Sequence, residues 1–92
     1  MVPVHQVMPE ALAGMLRKTP TTPEKIVFAW GITVGPAIER ATRVELIGPT
    51  LRVHARDASW QREVERSAGV IRRRLAMLLG EDVVRSIEVR LA

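Results

Sequence analysis

Apolar and polar residues alternate along two stretches in the middle of the chain, and a short connection separates them. The apolar positions are Val44, Leu46, Leu51, Val53 and Ala55. Successive side chains of a strand point to opposite faces, so this alternation places all five on one face of a sheet and predicts a β-hairpin. Residues 47–50, Ile-Gly-Pro-Thr, are predicted to form a four-residue loop, because proline is unfavourable at the third position of a tight turn.

A helical period begins directly after the second strand. Residues 58–79 are predicted to form a long helix, because one side of it repeats with the spacing of helical turns. The positions on that side are Trp60, Val64, Ser67, Ile71, Leu75 and Leu78. Asp57 or Ser59 is the predicted N-terminal cap, and Gly80 stands where a helix commonly ends in a left-handed residue. Trp60 is therefore predicted to be a packing anchor at the corner between strand and helix.

Two further helices are predicted ahead of the hairpin. The first covers residues 9–18, where Leu12, Met15 and Leu16 recur at helical spacing, and a proline-containing linker follows it. The second begins at Pro23, with Thr22 as its cap, and Ile26, Trp30 and Val34 form its buried side. It ends or kinks at Gly35-Pro36, and a further short turn can run to Ala41. The chain is thus divided into an N-terminal segment, residues 1–22, and one domain, residues 23–92.

The C-terminal residues return to strand alternation, with Ile87, Val89 and Leu91 predicted to face inward. The predicted order is helix, helix, strand, strand, helix, strand. Three strands that are each apolar on one face need helices on that face only, so the expected fold is an α+β two-layer sandwich with a three-stranded sheet. The order resembles the KH module, but the sequence lacks the GXXG loop with which KH domains clamp a nucleic-acid backbone.

Charge bears on what the domain binds. The formal net charge is +4, and twelve of the fourteen Lys and Arg residues are arginine, which forms planar contacts with phosphate and carboxylate groups. The candidate nucleic-acid contacts are Arg43, Arg52, Arg56 and Arg90 on the polar sheet face and Arg62, Arg66 and Arg73 on the long helix. The aromatic residues Phe28, Trp30 and Trp60 lie at buried phases, so any nucleic-acid binding should be weak, independent of sequence and sensitive to salt. A plain solvated surface, on which the arginines only keep the domain soluble, remains the alternative.

No catalytic residue, metal ligand, cofactor or small-molecule substrate is predicted. His5 and His54 have no metal-ligand spacing, the carboxylates form no catalytic pair, and no phosphate-binding glycine loop is present. Cysteine is absent, which excludes disulfides and thiolate chemistry. The longest uncharged run has 13 residues and contains glycine and proline, whereas a membrane span needs about 20 apolar residues. A cytoplasmic, non-enzymatic protein is expected.

Three blocks of sequence together resemble the bacterial DciA family. They are WGITVG at residues 30–35, GPTLRVHARDASWQREV at residues 48–64 and LGEDVVRSIEVR at residues 79–90. The resemblance implies a KH-like domain that binds the replicative helicase DnaB and assists its loading on DNA, with weak affinity for single-stranded or forked DNA. Trp30 and Trp60 match the tryptophans of the family. Trp30 and Arg72 are the candidate partner contacts, and Trp60, Gly48 and Gly80 are assigned structural roles.

The competing interpretation is a small KH-like module that binds RNA or single-stranded DNA. It rests on the excess of arginine and not on the three blocks. The two hypotheses differ in whether the main partner is a protein or a nucleic acid.

Overall fold

A computed structural model of the chain describes residues 20–92. In this range the helices are α1 (Pro23–Val34), α2 (Pro36–Ala41) and α3 (Ala58–Leu79), and the strands are β1 (Thr42–Ile47), β2 (Thr50–Ala55) and β3 (Ser86–Leu91). The order helix, helix, strand, strand, helix, strand confirms the predicted α+β fold. The helix predicted over residues 9–18 lies outside the described residues, so the division at residue 22 stays a prediction.

Local sequence signals fix the ends of α1 and α2 as predicted. The Thr22 hydroxyl accepts a hydrogen bond from the Lys25 amide at 3.1 Å, which satisfies one of the unpaired donors of the first turn. Gly35 ends α1 with a φ of +84°, a backbone conformation that glycine adopts without steric cost. Pro36 then opens α2, because a first helical position needs no amide donor.

The three strands form one sheet in the order β1-β2-β3. β1 and β2 are antiparallel, and β3 runs parallel to β2 because the long helix α3 connects them. The register aligns Val44 with Val53 and Val89, and Leu46 with Leu51 and Ile87. These rows form the apolar face of the sheet, and α1 and α3 pack against it. The central strand β2 is the best covered, since its apolar side chains are buried while its polar ones are partly exposed.

The prediction of a four-residue loop in the hairpin is wrong. Ile47 pairs with Thr50, so the loop has only the two residues Gly48 and Pro49. Gly48 has a φ of +59°, and the proline ring holds the next φ near −65°. A positive φ followed by a negative φ is typical of a type II′ turn. In this turn the residue before the proline is not α-helical, so proline causes no steric conflict. The structural role predicted for Gly48 thus has a backbone reason.

The ends of α3 also agree with the prediction. Asp57 is the cap, and its Oδ1 accepts a hydrogen bond from the Trp60 amide at 3.0 Å. Gly80 follows the helix with a φ of +101°. The core of the described residues comprises Ile26, Ala29, Trp30, Leu51, Val53, Val64, Ile71, Leu75, Leu78, Leu79 and Val84.

Three predicted inward positions differ from the prediction. Leu91 is 54% exposed because it lies near the end of the edge strand β3, and Phe28 is 50% exposed because it points away from the sheet. Trp60 is partly exposed and stands outside the core cluster of the described residues. The structure therefore does not support the predicted role of Trp60 as a packing anchor at the corner between strand and helix, and Trp30 is the tryptophan that lies in the core.

One buried polar atom leads to a stability prediction. Thr33 is 3% exposed, and its Oγ1 is the one buried side-chain polar atom of residues 20–92 without a hydrogen-bond partner. Replacing it by valine exchanges an unsatisfied hydroxyl for a methyl group of similar size. We expect Thr33→Val to raise the free energy of unfolding by about 1 kcal/mol, measured by urea denaturation. A loss of stability would mean that the hydroxyl has a partner.

Candidate functional site

The polar side of the sheet, called here the open sheet face, carries four of the predicted arginines. The register aligns Arg43, His54 and Arg90 in one row and Glu45, Arg52 and Glu88 in the next. Arg56 follows at the end of β2 and is exposed. The sequence prediction that these arginines share a surface agrees with the structure.

Carboxylates on the open sheet face neutralise much of its positive charge. Arg52 Nε lies 3.4 Å from Glu88 Oε2, and Arg90 forms a second ion pair with the same carboxylate. His54 Nε2 lies 3.1 Å from Glu45 Oε1. The hydrogen bond from Arg90 and the positive charge of Arg52 lower the pKa of Glu88, which keeps this carboxylate ionised. Phosphate groups would therefore have to compete with Glu88 for two of the arginines.

The second basic surface is the outer side of α3. Arg62, Arg66 and Arg73 lie in one line along the helix, called here the arginine stripe, with Gly69 between the last two. With a rise of about 1.5 Å per residue, Arg62 and Arg66 are about 6 Å apart along the axis, and Arg66 and Arg73 about 10 Å. Arg66 pairs with Glu63 at 3.2 Å, whereas Arg62 and Arg73 form no ion pair within the described range.

Gly69 leaves the middle of the arginine stripe open. A Cβ built on it would meet only Arg73 Nη1, at 3.9 Å. The helix backbone is therefore accessible between the guanidinium groups. The stripe combines less compensated charge with easier access than the open sheet face, so it is the better surface for an anionic partner.

The outer side of α1 is an apolar surface that the sequence prediction missed. Val27 and Phe28 are 51% and 50% exposed, although they belong to a helix whose other side is buried in the core. The surface, called here the α1 groove, is lined by Pro23, Glu24, Val27, Phe28, Gly31, Ile32, Gly35, Pro36 and Glu39. The Glu39 side chain crosses over Gly31 so closely that a Cβ there would clash with the Glu39 carboxylate.

The two tryptophans occupy opposite environments. Trp30 is 2% exposed, and its Nε1 donates a hydrogen bond to Thr42 Oγ1 at 3.0 Å. The Thr42 hydroxyl in turn donates to the Ile38 carbonyl oxygen at 2.7 Å. A side chain buried in this way offers a partner almost no surface, so the structure gives no support to the expectation that Trp30 is a partner contact.

Trp60 lines a shallow surface depression at the junction of α2 and α3, called here the Trp60 groove. Its other lining residues are Val34, Ala37, Ile38, Ser59 and Glu63. Arg72, the other predicted partner contact, lies exposed near the far end of α3, beside Met77 and Arg85. The structure therefore does not bring Arg72 together with either tryptophan.

Other kinds of site have no support in the part of the chain that the structure describes. There, no group of three or more potential ligands among histidine, aspartate and glutamate is placed to hold a metal ion. Between residues 20 and 92, no helix combines the length and the apolar character that crossing a bilayer requires.

Comparison with known proteins gives one finding. The family model described as Dna[CI] antecedent, DciA, matches residues 3–89, which is nearly the whole chain. Neither curated proteins nor solved structures gave a match. The first two sequence blocks, the arginine stripe and both grooves lie within the matched range, and the third block lies within it except for Arg90.

Proposed function

The chain belongs to the DciA family, which is associated with loading of the DnaB helicase in DNA replication, and we propose that it binds DnaB and assists its loading on DNA. The family is a helicase-loader type of factor and not a known type of enzyme. A replication factor acts where the chromosome is, so a cytoplasmic location is part of this proposal. The observation that supports it most directly is the family match over residues 3–89.

The Trp60 groove is the surface we propose for the helicase contact. Tryptophan is over-represented among the residues that dominate binding energy at protein interfaces. Trp60 is partly exposed, and its neighbours Val34, Ala37 and Ile38 provide an apolar surround. The core of the described residues does not include Trp60, so this side chain can take part in binding without the fold depending on it in the way it depends on Trp30.

Replacing Trp60 by alanine tests this surface. We expect Trp60→Ala to weaken the association with DnaB at least about tenfold, because truncating a central aromatic contact commonly costs 2 kcal/mol or more. The measurement is a pull-down or titration with the cognate DnaB at micromolar concentration and low salt. Val70→Ala is the matched control, since Val70 is 45% exposed on α3 and does not line the groove.

The outcomes separate two claims. If the unaltered chain does not associate with DnaB, the proposed function is contradicted. If Trp60→Ala binds DnaB as tightly as the unaltered chain does, only the contact surface is wrong.

Weak DNA binding through the arginine stripe is the second part of the proposal. Arg62 and Arg73 are free of ion pairs within residues 20–92, so both can contact phosphates without breaking an existing pair. None of the exposed aromatic surface lies on the stripe, since Phe28 belongs to α1 and Trp60 to the Trp60 groove. Base stacking is therefore not available there, and the interaction should be phosphate-driven, independent of sequence and weakened by salt.

The alternative, an RNA-binding or single-stranded-DNA-binding module, would use the open sheet face. Its support is the row of Arg43, His54 and Arg90. It is the weaker hypothesis, because Glu88 already binds two arginines of that face.

A further inference from the structure

β3 is an edge strand, and its outward main-chain groups can pair with another strand. Within residues 20–92 it has a neighbouring strand, β2, on one side only. The Ala92 amide donates to the Ala55 carbonyl oxygen of β2 at 2.7 Å, and main-chain groups alternate in direction along a strand. The amide and carbonyl groups of Ile87, Val89 and Leu91 therefore point away from β2. An open edge of this kind is a template for a further strand.

The side chains of β3 match those of a second copy in one antiparallel register about a two-fold axis. With the axis at Val89, Glu88 faces Arg90 of the second copy on the open sheet face, and Ile87 faces Leu91 of the second copy on the apolar face. With the axis at Glu88 or Arg90, two like charges would lie opposite each other, which destabilises a sheet. The charges of β3 are therefore self-complementary when the axis lies at Val89.

We propose that two copies of the chain associate edge to edge through β3 and form one continuous sheet. Val89 exchanges main-chain hydrogen bonds with Val89 of the second copy, and Ile87 does so with Leu91. Gln61 Nε2 lies 3.5 Å from the Val89 carbonyl oxygen. A carbonyl oxygen has two lone pairs, so this contact is compatible with an added strand.

The two faces of the joined sheet both gain contacts. Leu91 is 54% exposed in the single copy, and Ile87 of the second copy would cover it. On the open sheet face, Arg90 already pairs with Glu88 of its own strand. In the dimer each Arg90 lies between two carboxylates, its own and that of the second copy. Charge complementarity and apolar burial thus favour the same register.

The other edge strand, β1, suits a second copy less well. An axis at Val44 would also match its charges, but it would place Thr42 opposite Leu46 on the apolar face. The Thr42 hydroxyl is already bonded to the Trp30 indole inside the domain. The start of α1, at Pro23, lines the surface next to β1 as well. β3 has neither obstacle, so we assign the association to β3.

Charge reversal in the full chain, followed by sedimentation equilibrium, tests the dimer. Arg90→Glu turns both attractive pairs across the axis into like-charge pairs. We therefore expect the dissociation constant of the dimer to rise at least about tenfold. Arg43→Glu is the matched control, because it changes the net charge equally at an exposed position of β1 and should leave the dissociation constant unchanged.

Mixing two variants separates charge pairing from loss of the fold. Arg90→Glu and Glu88→Arg each place like charges across the axis, so each alone is expected to be monomeric. An equimolar mixture restores opposite charges at both positions and should form heterodimers. Circular dichroism of each variant shows whether the helices are retained.

The outcomes are distinct. Heterodimers in the mixture would support the register centred on Val89. An unaltered chain that sediments as a monomer at every concentration overturns the proposal, and so does a dimer that Arg90→Glu leaves intact. A larger effect of Arg43→Glu than of Arg90→Glu would assign the dimer to β1 and equally overturn it. None of these results bears on DnaB binding, which the titration of Trp60→Ala tests separately.

Discussion

Replacing Trp30 by alanine is expected to lower the free energy of unfolding by about 3–5 kcal/mol, the usual cost of removing a buried tryptophan side chain. Trp30 is 2% exposed and is one of the largest fully buried side chains of the described residues. A small domain has about 5–15 kcal/mol of stability in total, so this one change removes a large fraction of it. Urea denaturation followed by circular dichroism measures the effect.

Trp30→Phe separates packing from hydrogen bonding. Phenylalanine retains most of the apolar volume but cannot donate to Thr42 Oγ1, as the indole does at 3.0 Å. We expect the phenylalanine variant to lose less stability than Trp30→Ala. Trp60→Ala, in which the side chain removed is only partly buried, should also cost less than Trp30→Ala. A larger cost for Trp60→Ala would contradict the assignment of Trp30 as the packing anchor.

The elements of the fold were predictable because local signals mark their ends. Thr22, Gly35 and Asp57 each act within one turn of the chain, and the structure shows them as caps or breaks of the helices as predicted. The alternation of β2 likewise determined which of its side chains are buried. The hairpin loop differs from the prediction because proline is unfavourable at the third position of a type I turn, whereas the positive φ of Gly48 permits a different turn that accepts Pro49 there.

The two tryptophans show where periodicity stops being informative. Trp60 has the helical phase of the buried residues of α3, but it lies in the first turn, where the inward side of the helix faces α2 and not the sheet. The helical phase of Trp60 gives the direction of its side chain around the helix axis. It does not show which element of the fold lies in that direction. α1 presents a different problem. The spacing of Ile26, Trp30 and Val34 predicts one buried side, but the residues on the other side are also mostly apolar, so the sequence does not mark that side as exposed. Phe28 was therefore predicted to be buried, whereas it is half exposed.

The sequence predicts on which face of the sheet a charged residue lies, but not with which residue it forms an ion pair. Alternation correctly placed Arg52, Arg90 and Glu88 on the same side of the sheet. The ion pair between Arg52 and Glu88 joins residues 36 positions apart, and only the parallel register of β2 and β3 determines it. A sequence count of arginines therefore overestimates the positive charge that the open sheet face can offer to a nucleic acid.

Replacing the three arginines of the arginine stripe tests whether this surface binds DNA. We expect Arg62→Ala, Arg66→Ala and Arg73→Ala together to reduce the slope of log affinity against log salt for single-stranded DNA by about 1.4, because each lost phosphate contact removes about 0.7. The contacts counted are those of Arg62 and Arg73, since Arg66 is already paired with Glu63. Arg52→Ala with Arg56→Ala is the control on the open sheet face. It should change the slope little, since Arg52 lies 3.4 Å from Glu88 Oε2 and Arg56 lies 3.8 Å from Asp57 Oδ2. If the control pair reduces the slope more than the stripe does, the nucleic acid binds the sheet, and the RNA-binding or DNA-binding module becomes the better description of the domain.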